Sequence, residues 1–281
     1  MPDINERTKT KRLPLINAKV KQPLPPLRAG MPSLDSIRDE ATFKPTSRGP
    51  SYRILKTTEV DSYETTSTAV ALRKALTGKR KPAPSAVAAA VKKPPAVGEN
   101  FAGASRKAAK LSLATAKTEN FSDLSKLIAS LPPVAQMVKL NIPTSPNSNR
   151  VVQEKRNVHV TAFLYAASRE ADNDFHLIVG RDPKAVPEMY MTMEVSGLPP
   201  TNSPAFGSLS TARAAYEKFF AKNLPGATYD FYHPPIPVQV DGSLFFDATH
   251  STGQVPGPPS LKSRMPTIWE VHPVSAIKLG P

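Results

Sequence analysis

The sequence predicts a mainly β domain behind a long, largely disordered basic arm, and three observations predict it. Up to Asn157 the chain holds 28 Lys+Arg against 12 Asp+Glu, with five of its 19 aromatic residues and none of its five histidines. Beyond Asn157, 9 Lys+Arg face 11 Asp+Glu, so the formal net charge of +14 belongs to one half of the chain. In the aromatic-rich half, apolar residues recur mostly at every second position, the period of a half-buried strand. A basic, aromatic-poor stretch buries too little apolar surface to offset its ordering entropy, so the arm is placed over residues 1–150 and the domain over 151–281. A domain of that size can bury a core without staples.

The chain has no cysteine, which excludes disulfides, thiolate metal sites and cysteine nucleophiles. The opening MPDINERTKTKRLPLINAKVKQPLPPL carries charges throughout and lacks the apolar run of a secretory signal. No window reaches the roughly 18 consecutive apolar residues of a membrane span. A cytoplasmic location is expected, with non-classical export left open.

In the arm, Pro23, Pro25 and Pro26 deny backbone donors and favour extended conformations. Residues 67–77 place Val70, Leu72 and Leu76 around Arg73 and Lys74, enough for a short helix that needs a partner. The run 78–98 is rich in Lys, Ala and Pro, and its composition resembles linker-histone-like tails. Lys79, Arg80, Lys81, Lys92 and Lys93 here, with Arg106, Lys107 and Lys110 beyond, are the candidates for neutralising phosphates. The alternative is a solvated, self-repelling linker.

Residues 104–117 suit a basic amphipathic helix, and 122–131 a second helix that Ser122 caps and Pro132 and Pro133 end. Leu124, Leu127 and Ile128 give that helix an apolar face, expected to dock on the domain or on another protein. Residues 141–150 read as a linker by their Pro, Ser and Asn content.

The domain opens with alternation over 158–165, 174–180 and 189–195, three strands in succession. The period then changes. Leu209, Ala212, Tyr216, Phe219 and Phe220 form a helical stripe within 208–223, with Pro225 and Gly226 just beyond. Residues 229–237, YDFYHPPIP, read as a packed connection, with a rigid lid or a protein-binding edge as the alternatives. Strand character returns over 236–247, where Gly242 can bend or bulge the chain, and over 267–279.

Three strands, a helix and two strands resemble the OB-fold, a five-stranded Greek-key barrel with one helix between its third and fourth strands. The pair DFHLIVG and SLFFDATH…WEVHPV is similar to a small module of uncharacterised bacterial proteins, in which a Glu-x-His-Pro ending closes the last strand. The resemblance implies a fold and brings no activity.

Strict alternation turns Asp174, His176, Glu194, Glu270 and His272 outward from the barrel, and in the OB-fold order their strands are neighbours. His250 arrives from the loop between the last two strands. Imidazole and carboxylate groups in reach of one another suit a divalent metal, so His176, Glu194, His250, Glu270 and His272 are the candidate ligands. No HExxH run supports them, and a hydrogen-bonded network accounts for the same residues. Trp269 falls on the opposite face and reads as core. Outward Phe163, Tyr165 and Tyr190 are candidate base-stacking platforms. GxSxG and GxxxxGK[ST] runs are absent.

Three readings follow. The first is a non-enzymatic binder in which arm and barrel contact nucleic acid or another polyanion; it calls for no cofactor. The second is a metal-dependent hydrolase using the His/Glu cluster, and the third an accessory protein whose arm recognises a protein partner.

Overall fold

A computed structural model describes residues 30–47, 49–61, 99–252 and 256–281. The predicted helix over 67–77 and the cations from Lys79 to Lys93 lie outside these residues. The architecture is mainly β, in agreement with the sequence, but the sheet has eight strands rather than five. Three come from the stretch assigned to the arm: β1 (Ile37–Phe43), β2 (Tyr52–Thr57) and β3 (Thr118–Phe121). The other five are β4 (Asn157–Arg169), β5 (Phe175–Gly180), β6 (Tyr190–Val195), β7 (Asp230–Phe246) and β8 (Trp269–Leu279). Their pairings run β4, β5, β6, β8, β7 and back to β4, a closed ring in which only β6 and β8 are parallel.

β7 makes the closure through its length of 17 residues. Its first residues, Asp230 to His233, pair with β2, and much of its length lies between β4 and β8. The YDFYHPPIP segment is therefore mostly strand, neither lid nor loop. Register shifts flank Gly242 in the β7–β8 ladder, the bulge its sequence position suggested. A Cβ there would stand 2.5 Å from Val271 Cγ1 and 2.6 Å from the Pro273 carbonyl oxygen. Gly242→Ala should lower stability by about 1 to 3 kcal/mol, read as a shift in the urea midpoint. An unchanged midpoint would show that the two strands part without cost.

Inside the ring, the alternating residues meet as predicted. Val158, Val160 and Leu164 pack with Leu177, Val179, Met191, Met193, Leu244, Trp269 and Val271 in one core. Of the arm helices, α1 (Lys107–Lys110), α2 (Leu124–Ala129) and α3 (Val134–Val138) are short, and α4 (Phe206–Phe220) is the long domain helix. The α4 stripe of Ala212, Tyr216 and Phe220 enters the main core. Trp269 is fully buried, its indole Nε1 donating to the Pro132 carbonyl at 2.9 Å.

Much of the supposed arm is part of this body. Leu124 and Leu127 of α2, Met137 of α3 and Ile142 all join the main core, so the predicted apolar face docks on its own chain. Asp123, rather than Ser122, caps α2 by accepting from the Ser125 N–H at 2.7 Å. The helix expected over 104–117 shrinks to the single turn α1, preceded by Arg106 at φ 48, a left-handed conformation that no regular helix continues through.

The opposite face of the strands is covered too. Leu55, Tyr165, Ala166, Ile178, Tyr190, Tyr229, Phe231, Leu261 and Met265 form a second core. Alternation holds at Tyr165, which faces away from Leu164 into this second core, and breaks just after it, where the register shift between Leu164 and Ala166 leaves Tyr165 and Ala166 on one face. Tyr165 and Tyr190 are buried, 3% and 1% exposed, and are not outward stacking platforms. Among the described residues no helix is long and apolar enough to cross a membrane.

Candidate metal centre

Period-2 alternation explains the site's first half. Phe175, Leu177, Met191, Met193, Val195, Trp269 and Val271 point into the main core, so His176, Glu194, Glu270 and His272 must point the other way. The ladders set them side by side, with His176 opposite Glu194 and Thr192 opposite Glu270. The band is not solvent-facing as expected. Segment 99–112 roofs it, and Asp174, Glu194, Glu270 and His272 are 0 to 3% exposed.

Two buried arginines fasten the roof. Arg106 grips Glu154 with both terminal nitrogens at 2.6 and 2.8 Å and donates to the carbonyls of Phe246 and Asn149. Arg150 donates to the carbonyls of Ala109 and Ser112 in the roof, and to Leu244 in β7 and His272 in β8. Arg150, from the stretch read as a linker, is thus a clamp. Burial pulls its pKa down to about 10, still cationic near neutral pH.

The centre holds two interlocked groups. Asp174, Glu194 and His272 offer ligand atoms within 4.8 Å of one another, and so do Asp247, His250 and Glu270. His272 joins them: Nδ1 touches Glu194 Oε2 and lies 3.8 Å from Glu270 Oε2, while Nε2 lies 3.5 Å from Asp174 Oδ2. The ring of Phe245 in β7 lies 5.4 Å from that of His272. His250 Nε2 is 3.3 Å from Asp247 Oδ2.

Lys110 of α1 enters this set, its Nζ 3.7 Å from Glu194 Oε2 and 3.8 Å from Asp172 Oδ2. Burial opposes its charge, but Glu194, Asp172, Asp174 and Asp247 outweigh that and hold its pKa well above the ordinary lysine value. Glu194 is likewise held ionised: burial raises it, but His272 and Lys110 bring it well below the usual carboxylate range. Burial and the neighbouring negative charges push Asp174 and Glu270 the other way, well above that range.

The polar groups are not satisfied from within. Glu194 Oε2 and His272 Nδ1 have each other, but Asp174 Oδ2 and both oxygens of Glu270 have no hydrogen-bond partner. Buried carboxylates ordinarily find donors or a cation. Glu194 has the Lys110 ammonium, Asp174 Oδ1 accepts from the Gly197 N–H at 2.6 Å and Asp247 Oδ1 from the Thr249 N–H at 2.8 Å, whereas Glu270 has no donor on either oxygen.

The other candidates lie elsewhere. His176 belongs to a separate group: Nδ1 is 2.7 Å from Glu170 Oε1 and 3.8 Å from Asp61 Oδ2, and Nε2 is 3.1 Å from Thr192 Oγ1. Burial opposes its charge, but Glu170 raises its pKa to about 9. Arg106 and Lys110 are buried and cannot serve as free phosphate contacts, while Lys107 is half-buried with Nζ 6.0 Å above the Phe101 ring. Tyr165 donates to the Arg181 carbonyl at 2.8 Å and Tyr190 to Glu188 Oε2 at 2.8 Å. Phe163 is half-buried in a groove lined by Tyr52, Pro50, Pro234, Pro235 and Pro237.

The sequence reasoning missed Asp247 and Lys110 as members of the centre. Asp247 was legible in principle, because it ends a predicted strand three residues before His250. Lys110 had no such signal. No family model, curated protein or solved structure matches this chain.

Proposed function

We propose that the chain is a metal-dependent hydrolase on an OB-like barrel, its metal held among Asp174, Glu194, Asp247, His250, Glu270 and His272. Glu270 carries the reading: it is fully buried, beside carboxylates and imidazoles, with neither oxygen hydrogen-bonded. A divalent cation answers that arrangement, because carboxylate oxygen and imidazole nitrogen are ligands of zinc and manganese. A metal so held brings the pKa of bound water toward neutrality and supplies hydroxide for attack on an ester or amide. Lys110 adds a fixed cation beside the reacting centre, placed to meet developing negative charge.

The OB-like reading draws support from the ring order, from the parallel β6–β8 pair and from α4 lying between the third and fourth ring strands. Polyanion contact falls to Lys79, Arg80, Lys81, Lys92 and Lys93, since the barrel's Tyr165 and Tyr190 are buried.

The test is metal content and melting of the full-length protein after Zn²⁺ or Mn²⁺ loading. Bound metal should raise Tm by about 5 to 10 °C at a hundredfold excess over Kd. Protein that retains no metal and melts at the same temperature with and without it would defeat the reading.

A further inference from the structure

We infer that the centre takes two divalent ions side by side, and that its substrate is a phosphodiester. The inference rests on the metal-dependent reading above and adds the number of ions and the class of substrate. One ion is assigned to Asp174, Glu194 and His272 and the other to Asp247, His250 and Glu270, each trio having its ligand atoms within 4.8 Å. Each trio also contains a buried oxygen that nothing else satisfies: Asp174 Oδ2 in the first, Glu270 Oε1 and Oε2 in the second. The trios are contiguous, because His272 Nδ1 stands 3.8 Å from Glu270 Oε2.

Paired ions suit in-line displacement at phosphorus, one activating the attacking water and the other stabilising the leaving oxygen. The hydroxide oxygen forms a bond to phosphorus, the phosphorus–ester oxygen bond breaks, and the proton from water ends on the departing alkoxide. Solvent reaches the centre where Lys110, His250 and Asp247 keep about a tenth of their side-chain surface, at 10, 10 and 11%. The excess of 28 Lys+Arg over 12 Asp+Glu up to Asn157 favours a substrate within a polyanion.

The experiment titrates metal-free full-length protein with MnCl₂, counting ions by elemental analysis after desalting and recording EPR. Two ions per chain and a spin-coupled Mn²⁺ pair are expected; a single ion with an uncoupled six-line spectrum would overturn the inference while leaving the hydrolase reading intact. No ion at all would sink both. Asp174→Asn and Glu270→Gln should each retain about one ion and abolish the coupled signal. The EPR of the unaltered protein decides the count if either variant fails to fold. The loaded protein should hydrolyse bis(p-nitrophenyl) phosphate at least tenfold faster than p-nitrophenyl acetate or a peptide p-nitroanilide, relative to each uncatalysed rate. A preference for either of the latter would overturn the substrate class.

Discussion

Arg106→Met should lower the unfolding free energy by about 3 to 5 kcal/mol, among the largest single-residue effects expected in the chain. Arg106 and Glu154 have side chains 1 and 0% exposed, and their bidentate pairing spans the roof and the base of the barrel. Removing the guanidinium leaves Glu154 accepting only from the backbone N–H groups of Val151 and Phe246, with its charge buried and uncompensated. It also releases the carbonyls of Asn149 and Phe246. The double variant Arg106→Met with Glu154→Gln keeps an acceptor for those N–H groups and removes the orphaned charge, so it should recover a good part of the loss. Urea denaturation of the two variants and the parent measures this. A single-variant cost below about 1 kcal/mol would mean that the roof is held without the pair.

Glu270→Gln should act in opposite directions on stability and on function. In metal-free protein the substitution removes a buried carboxylate that no donor satisfies, and stability should rise by about 1 to 3 kcal/mol. In metal-loaded protein the same change deletes a ligand, so the Tm gain on loading should shrink and hydrolysis should fall by about 100-fold or more. Thermal melts with and without Mn²⁺, together with the hydrolysis rate, distinguish this crossing from an ordinary packing defect. A variant less stable in both conditions would mean that Glu270 is satisfied without a cation.

These expectations show which parts of the molecule local pattern can encode. Alternation alone turned Glu194, Glu270 and His272 to one face and Trp269 to the other, because a regular strand leaves no third choice. The prediction failed at Tyr165 for a different reason: the ring turns to the face alternation assigns it, but Leu55, Leu261 and Met265, distant in sequence, cover that face as a second core. β1 was missed because Ile37–Phe43 carries three charged residues on a strand with mostly exposed side chains. β3 is only four residues long, and three of them are polar. The largest omission was the fate of the basic residues after Glu99. Arg106 and Lys110 resemble any soluble cation until Glu154 and Glu194, 48 and 84 positions away, are brought against them by the fold. Charge composition could separate the halves of the chain, but long-range pairing decided which cations would be buried.

The two edges of the stretch from 62 to 98 are both anchored on the same body. Asp61 accepts from the Gly257 N–H at 2.7 Å, and on the far side Leu198 donates to Glu99 at 2.7 Å while accepting from Phe101 at 3.0 Å. β1 and β2 are held to the barrel by the ladder from Arg53–His233 to Lys56–Asp230, not by the peptide bonds that lead on to Glu99. A chain cut between Asp61 and Glu99 is expected to give two polypeptides that still co-elute in size-exclusion chromatography, held by that ladder.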